Sequence, residues 1–358
     1  MNVKYMYSLL AVVVLSLGAY ILVNAGTGFK VLFGIIVPYA AVIAFLAGFV
    51  ARVRDWMRSP VPFRITTTCG QQESLPWIEP NRIDNPFSKW AVVVRMALEI
   101  LFFRSLFRNT RLKLQSGPKI AYNLEIFLWI GALAFHYAFL VTILRHLRFF
   151  TEPVPGLIQL LERADGFFRL EVLYDMVQAG LPGVYLSGIV LLLAVLYLFL
   201  RRVFIPSVRY ISLAADFFPL FLIFTIALTG ILMRYVSKID VTAAKELAMG
   251  LVTFHPTIPA GVAPIFYVHL FLVSILLAYF PFSKLMHMGG VFLSPTRNLT
   301  ADTRRTRHVN PWNYPVPVHT YDEYEDEFRE KMVEAGLPVE KAPEAAAEAA
   351  TDEADKKE

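Results

Sequence analysis

Leu133–Phe150 reads LAFHYAFLVTILRHLRFF, and Phe266–Met288 reads FYVHLFLVSILLAYFPFSKLMHM. Both stretches are apolar enough to sit in hydrocarbon, and each carries two histidines: His136 and His146 in the first, His269 and His287 in the second. A polar ring inside a bilayer is costly without a partner, so an intramembrane histidine points to function. The bland alternative is a hydrogen-bonded core histidine or one at the interface. That reading suits a single histidine near a helix end, and two such helices with two histidines each weaken it.

The rest of the chain supports a membrane setting. Hydrophobic residues make up 56% of the 358 positions and charged residues 18%, where ordinary globular domains hold roughly 45–50% and 25%. The apolar residues fall in blocks about as long as a bilayer is thick. The fold class is therefore an all-α, polytopic membrane helical bundle with six transmembrane helices. They are expected at Tyr5–Val23, Val31–Val50, Tyr122–Leu144, Val184–Leu200, Ile211–Met233 and Ala263–Leu285. The first lacks a small-residue cleavage site and reads as an uncleaved anchor. A net charge of +5 is small and implies no nucleic-acid partner. The single cysteine, Cys69, rules out an internal disulfide, a cysteine-ligated iron–sulfur cluster within the chain and a CxxCH haem attachment.

Short-loop charges set the orientation. Arg52, Arg54, Arg58 and Arg64 follow span two, and Arg104, Arg108, Arg111, Lys113 and Lys119 precede span three. Arg201, Arg202 and Arg209 separate spans four and five, and Arg297, Arg304, Arg305 and Arg307 follow span six. Placing all four groups in the cytoplasm puts both termini inside a cell membrane. Trp90–Arg108 mixes apolar runs with Arg95, Glu99, Arg104 and Arg108 and reads as a helix lying in the inner interface. Thr151–Gly183 forms an outer cap, with a helical pattern through Leu170–Val177. From Leu337 the chain is rich in Ala, Glu, Lys and Pro, and is expected to be disordered.

Histidine spacing decides what the set can hold. The ten-residue and eighteen-residue separations correspond to roughly 15 Å and 27 Å along an ideal helix. Spans three and six run antiparallel, so His136 faces His287 near the inside and His146 faces His269 near the outside. Each pair can clamp a planar haem through neutral imidazole nitrogens. The unequal separations require tilt, unequal depths or a bend, and Pro281 supplies a cause for a bend. A di-metal site needs all four ligands within a few ångströms, so two bis-histidine haems b fit better than zinc or di-iron. A proton-relaying transporter is the alternative from a different class. The matched pairs and the lack of an internal repeat count against it.

The two histidine spacings and the run Phe280-Pro281-Phe282-Ser283-Lys284-Leu285-Met286-His287 resemble the nitrate reductase gamma-subunit family of membrane dihaem cytochromes b. The stretch RITTTCGQQESLPWI at Arg64–Ile78, continued to RMALEILFFRSLFRNTR, is similar to the DsrM-type cytochrome b subunit of the membrane complex linked to dissimilatory sulfite reduction. The resemblance implies that His136, His146, His269 and His287 ligate two haem b irons. It implies an electron-transfer subunit of a menaquinol-linked oxidoreductase, with no catalytic residue of its own and no action on the sulfur substrate. Electrons pass between menaquinone and a cytoplasmic iron–sulfur subunit related to heterodisulfide reductase, within a lipid-embedded complex. Another heterodisulfide-reductase-like or nitrate reductase complex is the nearest rival.

On this reading residues 1–30 are an added helix and outer loop, and 31–290 the dihaem core with cytoplasmic loop 51–120 and cap 151–183. Residues 291–336 form a cytoplasmic tail and 337–358 a disordered acidic one. Cys69 is read as structural or docking, and His308 and His319 as surface residues. Quinone candidates at the outer end are Tyr137, Arg145, Arg148, Glu152, Asp165, Arg169, Glu171, Asp175 and His255, although the arginines equally suit haem propionates. Glu125 and Asp216, at span starts, are read as snorkelling.

Overall fold

The computed structural model describes residues 4–59, 81–114, 120–167, 171–174, 177–180, 184–294, 297–302 and 317–341. Cys69, Arg169, Asp175, His308 and the Arg64–Ile78 loop lie outside them. Six helices are long and apolar enough to cross a membrane. They are α1 (Lys4–Ala25), α2 (Thr27–Arg58), α4 (Ile126–His146, continued by a 3-10 turn to Phe149), α6 (Leu186–Phe204), α7 (Ala214–Tyr235) and α9 (Pro264–Tyr279, continued to Phe282). The others are α3 (Lys89–Phe102), α5 (Gly156–Asp165), α8 (Val241–Val252) and α10 (Tyr321–Glu334). Gly26 alone joins α1 to α2, so the outer loop expected after span one is a single residue. Leu32–Ile36 of α2 is a π-helical segment.

The bundle is built around α7, which packs against α1, α6 and α9, while α4 packs on α6. Val12, Phe33, Leu222, Leu247, Tyr267 and Leu272 centre one apolar cluster. Ala138, Leu191, Val195 and Ile223 centre a second, which Leu276 of α9 also joins. Outward residues such as Ile21 (66% exposed) and Ile43 (68%) form apolar faces that a water-soluble protein rarely presents contiguously.

Three local features depart from the sequence reading. The interfacial segment is not one helix from Trp90 to Arg108. Ser88 caps α3 by accepting from the Ala91 N–H, and α3 ends where Phe103 turns left-handed (φ 51°, ψ 48°). A short turn, Arg104–Phe107, follows. Polar ties hold the segment down. Arg95, buried, donates to the Asp84 carbonyl, and the Asp84 carboxylate takes Arg104 and Arg108. In the segment expected to form the cap, α5 supplies the helix. The Leu170–Val177 region instead contains antiparallel strands, Glu171–Tyr174 paired with Val177–Gly180. Short apolar runs fit both periods, and the hairpin closes its own ladder locally. Finally, Leu337–Lys341, the start of the segment read as disordered, folds back on α10. The buried Glu325 carboxylate accepts from the Glu340 and Lys341 amides at 2.8 and 2.7 Å. These backbone donors hold its pKa below the usual carboxylate range.

The bend in the last span is present. The helix stops at Tyr279, and 3-10 turns run through Phe280–Phe282 and Lys284–Met286 with Ser283 extended between them. The eighteen residues from His269 to His287 are therefore not one straight rod. Helix α2 closes against the bend through Gly48, where a Cβ would come within 2.8 Å of Pro281 Cβ. A side chain here would push α2 off the segment that carries His287.

Candidate cofactor-binding site

His136 sits in mid-α4, and its ring centroid lies 5.9 Å from that of His287 across the bundle. Imidazole–metal bonds of about 2 Å on either side of an ion separate two ring centroids by roughly 6 Å, so this pair is spaced for a shared metal. At the other end, His146 closes α4 and lies within electrostatic reach of His269 on α9. The structure thus brings His136 into ring contact with His287, just past the last span, and places His146 and His269 at the other end of the same two segments. Among the described residues no three His, Cys, Asp or Glu side chains converge as a multi-ligand metal site would require.

The tautomer of each ring follows from its partner. His136 Nδ1 meets the Ala132 carbonyl at 2.8 Å, His146 Nδ1 the Thr142 carbonyl at 2.6 Å, and His287 Nδ1 the Lys284 carbonyl at 2.8 Å. A carbonyl only accepts, so Nδ1 carries the proton in all three. His269 Nδ1 lies 2.9 Å from Thr229 Oγ1, whose own proton goes to the Thr225 carbonyl at 2.8 Å. The threonine oxygen is left as the acceptor. Every Nε2 therefore keeps its lone pair, and no hydrogen bond among the described residues occupies it. This is the state of a metal-ligating imidazole oriented by an outer partner. Imidazoles with Nδ1 anchored and Nε2 free to ligate fit a bis-histidine haem b. The partners matter in proportion: Thr229→Val should weaken cofactor retention at the His146–His269 pair about 10–100-fold while sparing the other pair. Cofactor content after dilution and refiltration measures it.

Phe103 covers His136, its ring meeting the imidazole edge-on at 4.8 Å. The last carbonyls of α3 are taken by α4: Leu101 accepts from Tyr137 Oη at 2.8 Å and Phe102 from Trp129 Nε1 at 2.7 Å. Tyr137 thus belongs to the His136 end and holds α3, which removes it from the outer-end candidates. Glu125 and Asp216 do not simply snorkel. Glu125 pairs with Arg201 at 3.2 Å, and Asp216 with Lys284 at 2.7 Å. The second pair ties α7 to the turn before His287.

The His146 end is the more charged. Arg145 Nε lies 2.7 Å from Asp165 Oδ2 as a buried ion pair. Asp165 also accepts from the Ser187 N–H at 2.8 Å and from Ser187 Oγ at 2.6 Å. Arg148 pairs with Glu162, which accepts the Tyr185 hydroxyl as well. Burial pushes the Tyr185 phenol up, so it stays protonated and donates. Glu152 pairs with Lys245 of α8. His255 lies in the loop after α8 with Nδ1 on the Thr253 carbonyl at 2.7 Å, and His319 lies exposed before α10. Tyr185, Ser187 and Arg234 complete the cluster, and the sequence reading passed over all three. Arg234 had a signal: a basic residue at the end of span five, on the side that the loop charges leave poor in Lys and Arg.

The match to the nitrate reductase gamma subunit covers residues 90–307, with all four histidines inside it. The chain belongs to the nitrate reductase gamma subunit family. Within this family it is 45% identical to an Hdr-like menaquinol oxidoreductase cytochrome b-like subunit of Archaeoglobus fulgidus, over 79% of this chain and 84% of that one. It is 40% identical to a protein of the same description from Archaeoglobus profundus, over 78% and 83%. The family match begins at α3, so α1 and α2 precede it.

Proposed function

We propose that the chain is the cytochrome b subunit of a menaquinol-oxidising membrane complex and carries two haems b, one between His136 and His287 and one between His146 and His269. The observation that carries this reading is the pairing itself. His136 and His287 meet ring to ring, His146 and His269 lie at the other end of the same segments, and all four have Nδ1 anchored. The relatives' description supplies the donor class, menaquinol, and the kinship to heterodisulfide reductase. Haem b, when bound, accepts and passes on one electron at a time. The chain's own residues set the ligands, the spacing and a low-dielectric surround that tunes the potentials.

The electron acceptor is a cytoplasmic iron–sulfur subunit related to heterodisulfide reductase, since a chain with one cysteine holds no cysteine-ligated cluster of its own. The DsrM-like stretch at Arg64–Ile78 supports a role for the complex in sulfite respiration. Loop charges place both termini in the cytoplasm. The core spans residues 31–290, preceded by the added helix and outer loop within 1–30. The loop Arg64–Ile78 and the tail from Arg297 to Glu330 face the cytoplasm and provide the docking surface for the iron–sulfur subunit. Menaquinone is placed at the outer end, beside the His146–His269 pair and under the 151–183 cap. There Glu152 and Glu162 are the partly exposed carboxylates able to take quinol protons.

The test is a dithionite-reduced minus oxidised spectrum of the purified protein with haem-to-protein stoichiometry, followed by reduction with a water-soluble menaquinol analogue. Two b-type haems per chain, both reduced by the quinol, are expected. A preparation that stays haem-free after reconstitution overturns the reading. Two haems that no quinol reduces would remove menaquinone from it.

A further inference from the structure

In the charged cluster at the His146 end, Arg234 differs from its neighbours. Arg145 is paired with Asp165, Arg148 with Glu162 and Lys245 with Glu152. Arg234 has no carboxylate within ion-pair distance among the described residues, and its Nε is buried without a hydrogen-bond partner. Its guanidinium lies 3.9 Å from the Tyr185 ring centre, and that of Arg145 lies 3.7 Å from the same centre. One ring face has no room for both, so the tyrosine is sandwiched. The Tyr235 ring centre lies 5.7 Å from the Arg234 guanidinium. Two guanidiniums across one ring repel each other, and the buried Nε of the half-buried Arg234 is a donor left without a partner, which an anion would satisfy. Among the described side chains the cluster holds three guanidiniums, from Arg145, Arg148 and Arg234, against the two carboxylates of Glu162 and Asp165.

Position indicates which anion would meet Arg234. Arg234 lies five residues beyond Thr229, the residue on His269 Nδ1. That is roughly 7–8 Å further along α7, just past the ring pair and toward the helix end. The aromatic platform fixes the guanidinium plane, and the planar fork suits a carboxylate or phosphate bidentately.

We propose that Arg234, held flat against Tyr185, seats an anionic oxygen group, namely a propionate of the haem between His146 and His269. This rests on the dihaem reading above. A phosphate headgroup of an anionic lipid shares the same chemistry, so the experiment separates the two sources.

The experiment is a redox titration of the detergent-purified protein as wild type, Arg234→Gln and Arg234→Lys, with haem content and bound phospholipid quantified in each. A His136→Ala background isolates the haem concerned. Loss of a positive charge beside a propionate favours the oxidised, more cationic haem. Arg234→Gln is therefore expected to shift the midpoint potential of that haem to more negative values and leave the other unmoved. It should also make that potential more pH-dependent near neutrality, because a propionate without its arginine titrates closer to pH 7. Arg234→Lys should restore most of the shift. A merely structural role moves neither the potential nor its pH dependence once haem content is equal. If potentials are unchanged while Arg234→Gln strips phospholipid that wild type retains, the seat stands and its occupant is the lipid. If neither potential nor lipid changes, the seat is overturned. A wild-type protein without haem would instead defeat the functional reading on which this rests.

Discussion

Replacing His136 or His287 with alanine is expected to remove about half of the bound haem, and the same half in both cases. The two rings stand 5.9 Å apart, so either loss would leave one histidine where two would hold the group. His146→Ala and His269→Ala should remove the other half. The double variant His136→Ala His287→Ala should lose no more than either single one, which distinguishes shared ligation from two independent sites. Exogenous imidazole should restore part of the b-type spectrum in the single variants, since the opposite ring, with its Nδ1 still on Ala132 or Lys284, remains oriented. Protein yield and thermal melting separate ligand loss from misfolding. Loss of the same haem by His136→Ala and His269→Ala would show the pairing to be wrong.

Asp165→Ala should be the most damaging change among the charged residues of the cap. The carboxylate is 7% exposed and its Arg145 partner 10%. It also satisfies the Ser187 N–H and hydroxyl. Its removal leaves a buried guanidinium uncompensated, at a cost of about 3–5 kcal/mol. Arg145 precedes His146 in the chain, so the disturbance should reach that ring first. The expected result is a markedly lower melting temperature in detergent, with preferential loss of the haem assigned to His146 and His269. Asp165→Asn keeps an acceptor for the Ser187 amide and should lose less. Arg145→Leu combined with Asp165→Leu removes both charges and should recover much of the stability, because apolar replacement of a whole buried pair is often close to neutral. An Asp165→Ala protein that melts with wild type and holds both haems equally would show the ion pair to be a surface ornament.

Six spans are legible in the sequence because hydrocarbon thickness imposes both a length and an apolar composition on anything that crosses it. The bend before His287 is legible for a similar reason: Pro281 has no N–H to continue the ladder. The facing of His136 with His287 follows from the antiparallel order of spans three and six. In each case one strong physical rule acts on a contiguous stretch, with no competing solution nearby.

The remainder depended on contacts between segments distant in the chain. Nothing near Phe103 marks it as the end of α3. It is held by Tyr137 and Trp129 of α4, which take the last α3 carbonyls, and by its ring against His136. Residues 171–180 carry an apolar pattern short enough to fit either period, and strand pairing settled it. The sandwich of Tyr185 between Arg145 and Arg234 joins the starts and ends of three spans, a meeting that spacing along one helix does not encode. Membrane partition and local backbone chemistry act on the sequence directly, so the helices and the histidine-bearing spans were determined there. Pairing of buried polar groups requires partners brought from elsewhere in the chain, so only the tertiary structure decided which charges are spent and left Arg234 without an ion-pair partner among the described residues.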